Sequence, residues 1–342
     1  MNFYTSIFNP QSPKTWVRRG ITGILVLIGV LFSFNYVIDP YNMTGWNPLN
    51  IKYKFARDDR TEKLNYFKAL QRFDTIIIGS SRVYSINPRK ASELLGGTTY
   101  NFGVGTATVE DHLGILFYLE KQNKLPKNLI IGVDFYTFNA NIPPNSYFLK
   151  NKELNFLSYR DQSADEYWPK FFSFDATRAS FKTLKHHLFP DENTKPRFDS
   201  LGWGLEYMDD RFRNMEEEQR LTRLEINENK KLLYSDYRYE HIDPKRIAYY
   251  EQIRLLCDRH RIRLYVFTTP LHPWLLKELQ SHPSTKNAMR ELTDYLATFE
   301  RFSDFYTDRH FAKDLYLFNG ATHTTAKAGD LILEKVLAKP QP

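Results

Sequence analysis

Asp74-Thr75-Ile76-Ile77-Ile78-Gly79-Ser80-Ser81-Arg82 is the stretch that decides the fold of this 342-residue chain. A run of apolar, mostly β-branched residues stops abruptly at Gly-Ser-Ser-Arg, which predicts a buried parallel strand entering a tight turn. A serine at the C-terminal mouth of such a strand stands where open α/β sheets place their ligands. Its hydroxyl lies near backbone N–H groups of the turn and of the next helix, and these favour a developing oxyanion. A small-residue turn that only lets the chain leave the sheet accounts for the same letters.

The far end of the chain separates the two readings. Asn319-Gly320-Ala321-Thr322-His323-Thr324-Thr325 precedes an amphipathic helix whose apolar face is Leu331, Ile332, Val336 and Leu337, with Thr324 or Thr325 as its N-cap. A histidine on such a loop suits general-base work, because its unperturbed pKa lies near neutrality. Asp308-Arg309-His310 is a rival base site without a following helix. His186-His187 near Asp191 lacks the spacing of a metal-ligand set and reads as surface.

Between these ends, strands at 74–79, 98–102, 128–134, 264–268 and 302–306 alternate with helices at 88–95, 109–122, 244–260, 273–280, 284–299 and 325–338. Such alternation predicts an α/β fold, a parallel sheet covered on both faces in a three-layer α/β/α sandwich of flavodoxin-like type. A helix at 63–71 leads into the first strand. The pattern breaks after Asn139, so residues 140–243 read as an insertion, with a charged helix at 213–231. Its Tyr147, Tyr159, Tyr167, Trp168, Trp203 and Tyr207 suit either a sugar-binding lid or core packing. His272, in Thr268-Thr269-Pro270-Leu271-His272-Pro273, leaves the fourth strand at the ligand edge and is expected near substrate.

The two ends together resemble the SGNH (GDSL-type) hydrolase superfamily, over 73–139 and 244–337. The resemblance makes Gly79-Ser80-Ser81 the counterpart of Gly-Asp-Ser, with Ser81 the nucleophile and His323 the base. Tyr100-Asn101-Phe102-Gly103-Val104-Gly105-Thr106 resembles the second block, which implies Gly105, or else Gly103, as an oxyanion donor. The third block, Gly-x-Asn-Asp, is absent, and Asn139 is the expected substitute amide. The family's acid stands three residues before the histidine, where this chain has Gly320. Asn319 is then expected to orient the imidazole, with Asp314 or Asp308 as alternatives from the preceding loop. The Gly-Ser-Ser variant is most similar to the membrane-anchored branch containing the teichoic-acid D-alanyl transfer protein and the O-acetylation proteins of alginate and related polysaccharides.

Residues 21–38 carry no charge and follow Lys14, Arg18 and Arg19. As a helix this run spans about 27 Å, close to a bilayer's hydrocarbon core. Trp16 on one side, with Tyr36 and Tyr41 on the other, suits the interfacial aromatic belts. The positive flank predicts a cytoplasmic tail (1–20), a span (21–38) and an exported remainder, and no small-residue cleavage site follows the span. This is the pattern of an uncleaved signal anchor, and the resemblance implies that the membrane is a bacterial inner membrane with the catalytic domain periplasmic. Residues 39–72 form a juxtamembrane stretch, 73–139 with 244–338 the α/β domain.

The formal charge is +7 and the pI about 9.1, yet no basic run interleaved with stacking residues is present. Anionic lipid headgroups or acidic glycans fit this charge better than nucleic acid. The lone Cys257 makes no intrachain disulfide, so the core alone must stabilise the fold. The resemblance implies a serine acyl-transfer enzyme that O-acetylates an envelope polysaccharide beside a membrane-bound O-acyltransferase, without a metal or other cofactor. A polysaccharide O-acetyl esterase and a non-catalytic glycan-binding or assembly subunit are the competing readings.

Overall fold

The computed structural model describes residues 13–40, 46–51, 58–70, 72–157, 171–189, 197–205 and 215–338. Tyr41, Tyr159, Tyr167, Trp168, Asp191, Tyr207 and the tail before Pro13 lie outside the described residues. The chain divides into two compact units, Met1–Asp58 with Arg160–Thr194, and Asp59–Tyr159 with Lys195–Pro342.

The first unit contains helix α1 (Pro13–Ile38) and, much later in the chain, α6 (Phe174–Leu188). Among the described residues α1 is the one helix long and apolar enough to cross a membrane. It is exposed from Lys14 to Val30 and, Ser33 apart, half-buried or buried from Leu31 onward.

The second unit runs α2 (Asp59–Ala69), β1 (Thr75–Ile78), α3 (Pro88–Leu95), β2 (Thr99–Asn101), α4 (Val109–Lys121), β3 (Asn128–Val133) and α5 (Ser146–Lys150). After α6 it continues with α7 (Met215–Lys231), α8 (Pro244–His260), β4 (Arg263–Thr268), α9 (Pro273–Ser281), α10 (Pro283–Leu296) and β5 (Phe302–Ser303). A short antiparallel ribbon, β6 (Phe318–Asn319) and β7 (His323–Thr324), leads into α11 (Ala326–Leu337). The fold is α/β, with a five-stranded sheet in the order β2-β1-β3-β4-β5 whose neighbours are all parallel.

Alternation along the strands sends apolar side chains to opposite faces. Ile76, Ile78, Leu129, Ile131 and Val133 enter one cluster with α4 and α8, while Ile77 and Ile130 join α11 on the other side. The chain turns outward from β1 to β2 and then crosses back to β3. The C-terminal ends of β1 and β3, where this reversal falls, are the usual ligand position in such sheets. Ser81 follows β1, and Asp134 follows β3.

Two elements differ from the sequence expectation. β5 has two residues rather than five, because the Asp304 carboxylate accepts the Thr268 hydroxyl (3.0 Å) and the Tyr306 N–H (2.9 Å), which turns the chain. The helix expected at 63–71 begins at Asp59, and two of its cations, Arg60 and Lys63, are buried. Arg60 makes a two-pronged pair with the buried Asp111 at 2.7 and 2.9 Å. The Lys63 ammonium donates to the carbonyls of Asn101 (2.9 Å) and Gly202 (2.5 Å), near the rings of Tyr84 and Phe198. Burial lowers its pKa to about 7. These charges are structural, because a buried cation is tolerated only where carboxylates or carbonyls replace its water.

Candidate active site

The serine turn is built locally. Ser80 stays extended and its hydroxyl accepts the Arg82 N–H at 3.1 Å, capping a single 3-10 turn over Ser81–Val83. Close packing behind it explains Gly103: a Cβ there would collide with Val83 and sit 3.1 Å from the Ser80 carbonyl. The Ser81 N–H, first in its turn, has no acceptor within the helix.

The histidine loop is a hairpin. β6 and β7 pair Asn319 with His323, and Gly320 turns the ribbon at φ +78°. The hydroxyls of Ser85 and Thr324 meet at 2.7 Å, and Thr325 caps α11 by accepting the Ala328 N–H. The ribbon therefore joins the serine turn on one side and the last helix on the other. Ser81 Oγ and His323 Nε2 lie 2.9 Å apart across 242 residues of chain. His323 Nδ1 lies 3.1 Å from the Thr322 hydroxyl.

Several residues at this edge escape a sequence reading. Arg82, inside the quoted motif itself, is 7% exposed, and its guanidinium lies over the rings of Phe135 and Tyr136. Its Nη1 stands 3.5 Å from Asp134 Oδ1, too far for a hydrogen bond, and has no hydrogen-bond partner among the described residues. Asp134 is fully buried, and the Thr269 hydroxyl donates to Oδ1 at 2.6 Å. Burial, then the Asp134 carboxylate, push the Tyr136 phenol far above its ordinary pKa, so it remains a hydroxyl. Burial, reinforced by Arg82 and opposed by Asp134, lowers the His323 pKa to about 4. The imidazole is therefore neutral at physiological pH and able to accept a proton.

Glu225, on α7 within the insertion, reaches the histidine loop from outside. Its Oε2 accepts the Ala321 N–H at 2.6 Å. A Cβ on Gly320 would lie 2.6 Å from both carboxylate oxygens. Glu225 thus occupies the space that a side chain at 320 would need, and the positive φ of Gly320 further favours glycine. Burial raises the Glu225 pKa, with the Ala321 N–H acting against that rise. No sequence signal singles it out, since Met-Glu-Glu-Glu-Gln-Arg-Leu-Thr-Arg-Leu-Glu225 reads as a solvated charged face.

The other expected site residues lie elsewhere or are already engaged. The Gly105 N–H donates to Asp59 at 3.1 Å, and the Gly103 N–H to the Asn101 side chain at 3.0 Å. Asp59 also accepts the Tyr84 hydroxyl and pairs with Arg197. Asn139 is buried; its amide donates to the Tyr237 carbonyl at 2.7 Å and accepts the Asn141 N–H at 3.0 Å. His272 is buried against Trp274 and Phe318, with Nδ1 accepting the Trp274 N–H and its backbone N–H donating to the Ala321 carbonyl. It supports the histidine loop from beneath. Asp308 pairs with Lys335, and Asp314 caps the turn at Tyr316.

No family model matches the chain, and no curated protein matches it in sequence. The chemistry must therefore be read from the geometry. A neutral imidazole bonded to a half-buried serine, beside a buried guanidinium at a sheet switch point, can generate an alkoxide and stabilise a tetrahedral oxyanion.

Proposed function

We propose that this protein is a membrane-anchored serine acyl-transfer enzyme with an SGNH-type three-layer α/β/α domain, acting outside a bacterial inner membrane on an envelope polysaccharide. The contact between Ser81 Oγ and His323 Nε2 carries the reading. Two residues 242 positions apart meet at hydrogen-bonding distance at the sheet edge where the strand order reverses.

In this mechanism His323 takes the Ser81 proton as the hydroxyl oxygen attacks an acyl carbonyl. The oxyanion faces the Ser81 N–H, with the Arg82 guanidinium supplying positive field nearby. The imidazolium then protonates the leaving oxygen, which departs and leaves an acyl-serine. A sugar hydroxyl gives its proton to His323, attacks the acyl carbon, and restores Ser81 as the proton returns. Water in place of the sugar makes the same site an esterase. A membrane-bound O-acyltransferase is the partner that would deliver the acyl group.

A fluorophosphonate probe tests the reading. Intact mass should rise by one adduct located on Ser81, and Ser81→Ala and His323→Ala should both remain unlabelled. A folded wild-type protein that never labels at Ser81 sinks the catalytic reading and leaves a glycan-binding or assembly subunit.

A further inference from the structure

The first unit holds a surface that acyl transfer does not use. Among the described residues the exposed phenylalanines are Phe172, Phe174, Phe181 and Phe189, all on or beside α6. Phe174, Phe181 and Leu188 are spaced by seven residues, two helical turns each, so they form one stripe along the helix. Their exposures are 82%, 60% and 59%, while Ala176, Ala179, Ser180 and Thr183 are buried on the other side. α6 carries Arg178, Lys182 and Lys185 against one acid, Asp175 in its first turn.

α6 is fastened to the outer end of α1. The Asn35 amide donates to the Phe171 carbonyl (2.7 Å) and the Thr177 hydroxyl (3.0 Å). Phe32 stacks on Phe172, and Phe34 meets Phe181 with ring centroids 4.8 Å apart. Phe34 is four residues before the end of the uncharged run, so it stands about 6 Å inside that end along the helix. An interfacial amphipathic helix immerses its apolar face by about 5–10 Å. The depth at which α1 holds Phe181 and the depth such a helix seeks agree.

We propose that α6 lies in the outer-leaflet interface of the membrane that α1 spans, with lipid covering the Phe174–Phe181–Leu188 stripe. Arg178, Lys182 and Lys185 then reach headgroup phosphates, their stems lying along the apolar boundary. Lipid is favoured as the occupant because the stripe meets the exposed apolar surface of α1 at Phe34 and its flanking charge is predominantly positive. The proposal rests on α1 being a membrane span and is independent of the chemistry at Ser81.

The test is spin-label accessibility in the full chain reconstituted into phosphatidylcholine/phosphatidylglycerol vesicles. Nitroxides are placed through Phe181→Cys and Leu188→Cys, with Leu25→Cys reporting the span and Leu94→Cys an exposed site in the second unit. The native Cys257 is buried and its thiol is pushed up to about 12, so it stays unlabelled. Collisions with oxygen relative to a water-soluble nickel chelate should be at least about fivefold higher at 181 and 188 than at 94. A ratio at both positions equal to that at 94, with 25 still lipid-like, overturns the proposal while the span stands. An aqueous ratio at 25 overturns both. Shielding of 181 and 188 from both reagents means protein covers the stripe, which also overturns it.

Discussion

The serine turn and the histidine loop meet at one hydrogen bond, yet they are held in place by different means. The serine turn is fixed by its neighbours in sequence: β1 behind it, the Ser80 cap within it, and Val83 seated against the sheet. The histidine loop is a four-residue ribbon that borrows support from a distance. Ser85 anchors it from the serine side, His272 from beneath, and Glu225 from the insertion. Ser81 is therefore positioned by local folding, whereas His323 depends on contacts from distant parts of the chain, the insertion among them. That asymmetry makes the insertion a structural part of the site.

The largest expected effects fall on the shared bond and do not distinguish its halves. Ser81→Ala and His323→Ala should each lower the rate of model-ester hydrolysis by at least about 10³-fold, while leaving the rest of the fold intact. Residual turnover near wild type in either variant, with an unchanged melting curve, would dissolve the pairing.

The next effect separates the halves. Glu225→Ala should slow fluorophosphonate labelling by about 10–100-fold through a loosened base, with little change in apparent affinity for the probe. Glu225→Gln keeps an oxygen that can accept the Ala321 N–H and should lie nearer wild type. Gly320→Asp alone should inactivate, since its side chain would collide with the Glu225 carboxylate. Combining Gly320→Asp with Glu225→Ala removes the collision and should recover part of the lost rate. Additive damage in the double variant would show that Glu225 and position 320 do not compete for one space.

The same division explains what could be read from the sequence. The Ile76–Ile78 run, the Gly-Ser-Ser turn and the helical periods are local patterns, and each specifies strand, turn or helix from its own letters. Those letters carry Ser81 and His323. The support for His323 is a side-chain contact between residues 225 and 321, which leaves no period and no motif. Gly105 shows the opposite error: a glycine after β2 resembles a donor, but Asp59, inside a charged stretch read as juxtamembrane, takes its N–H. Arg82 was in plain view. An arginine after a nucleophile ordinarily reads as surface, and only the rings of Phe135 and Tyr136 and the Asp134 carboxylate reveal that it is buried.

A smaller effect probes the field across the pair. Labelling requires neutral His323, so its rate should hold through neutral pH and fall only as pH drops through about 4. Arg82 disfavours the imidazolium and Asp134 favours it. Arg82→Gln should therefore move the acid limb upward, and Asp134→Asn should move it downward. Burial is the larger cause of the lowered pKa, so neither change should restore the limb fully to the ordinary histidine range. Movement of both limbs in the same direction would mean that repacking, rather than charge, governs the imidazole.

The smallest effect on chemistry should come from Asn139. Its buried side chain joins the turn after β3 to the insertion, donating to the Tyr237 carbonyl and accepting the Asn141 N–H. Removing it leaves both backbone groups without that partner, at a cost of about 1–3 kcal/mol where they stay buried. Asn139→Ala should therefore lower the melting temperature by several degrees. Measured below the new transition, Ser81 labelling should remain within about twofold of wild type, because the amide already donates to the Tyr237 carbonyl. The contrast with Glu225→Ala is the sharper measurement. Both side chains tie the insertion to the sheet's C-terminal edge, but of the two Glu225 is the one bonded to the loop that carries His323. If Asn139→Ala slowed labelling as much as Glu225→Ala, docking of the whole insertion would set the base's position, and no particular role would be left for the Glu225–Ala321 bond.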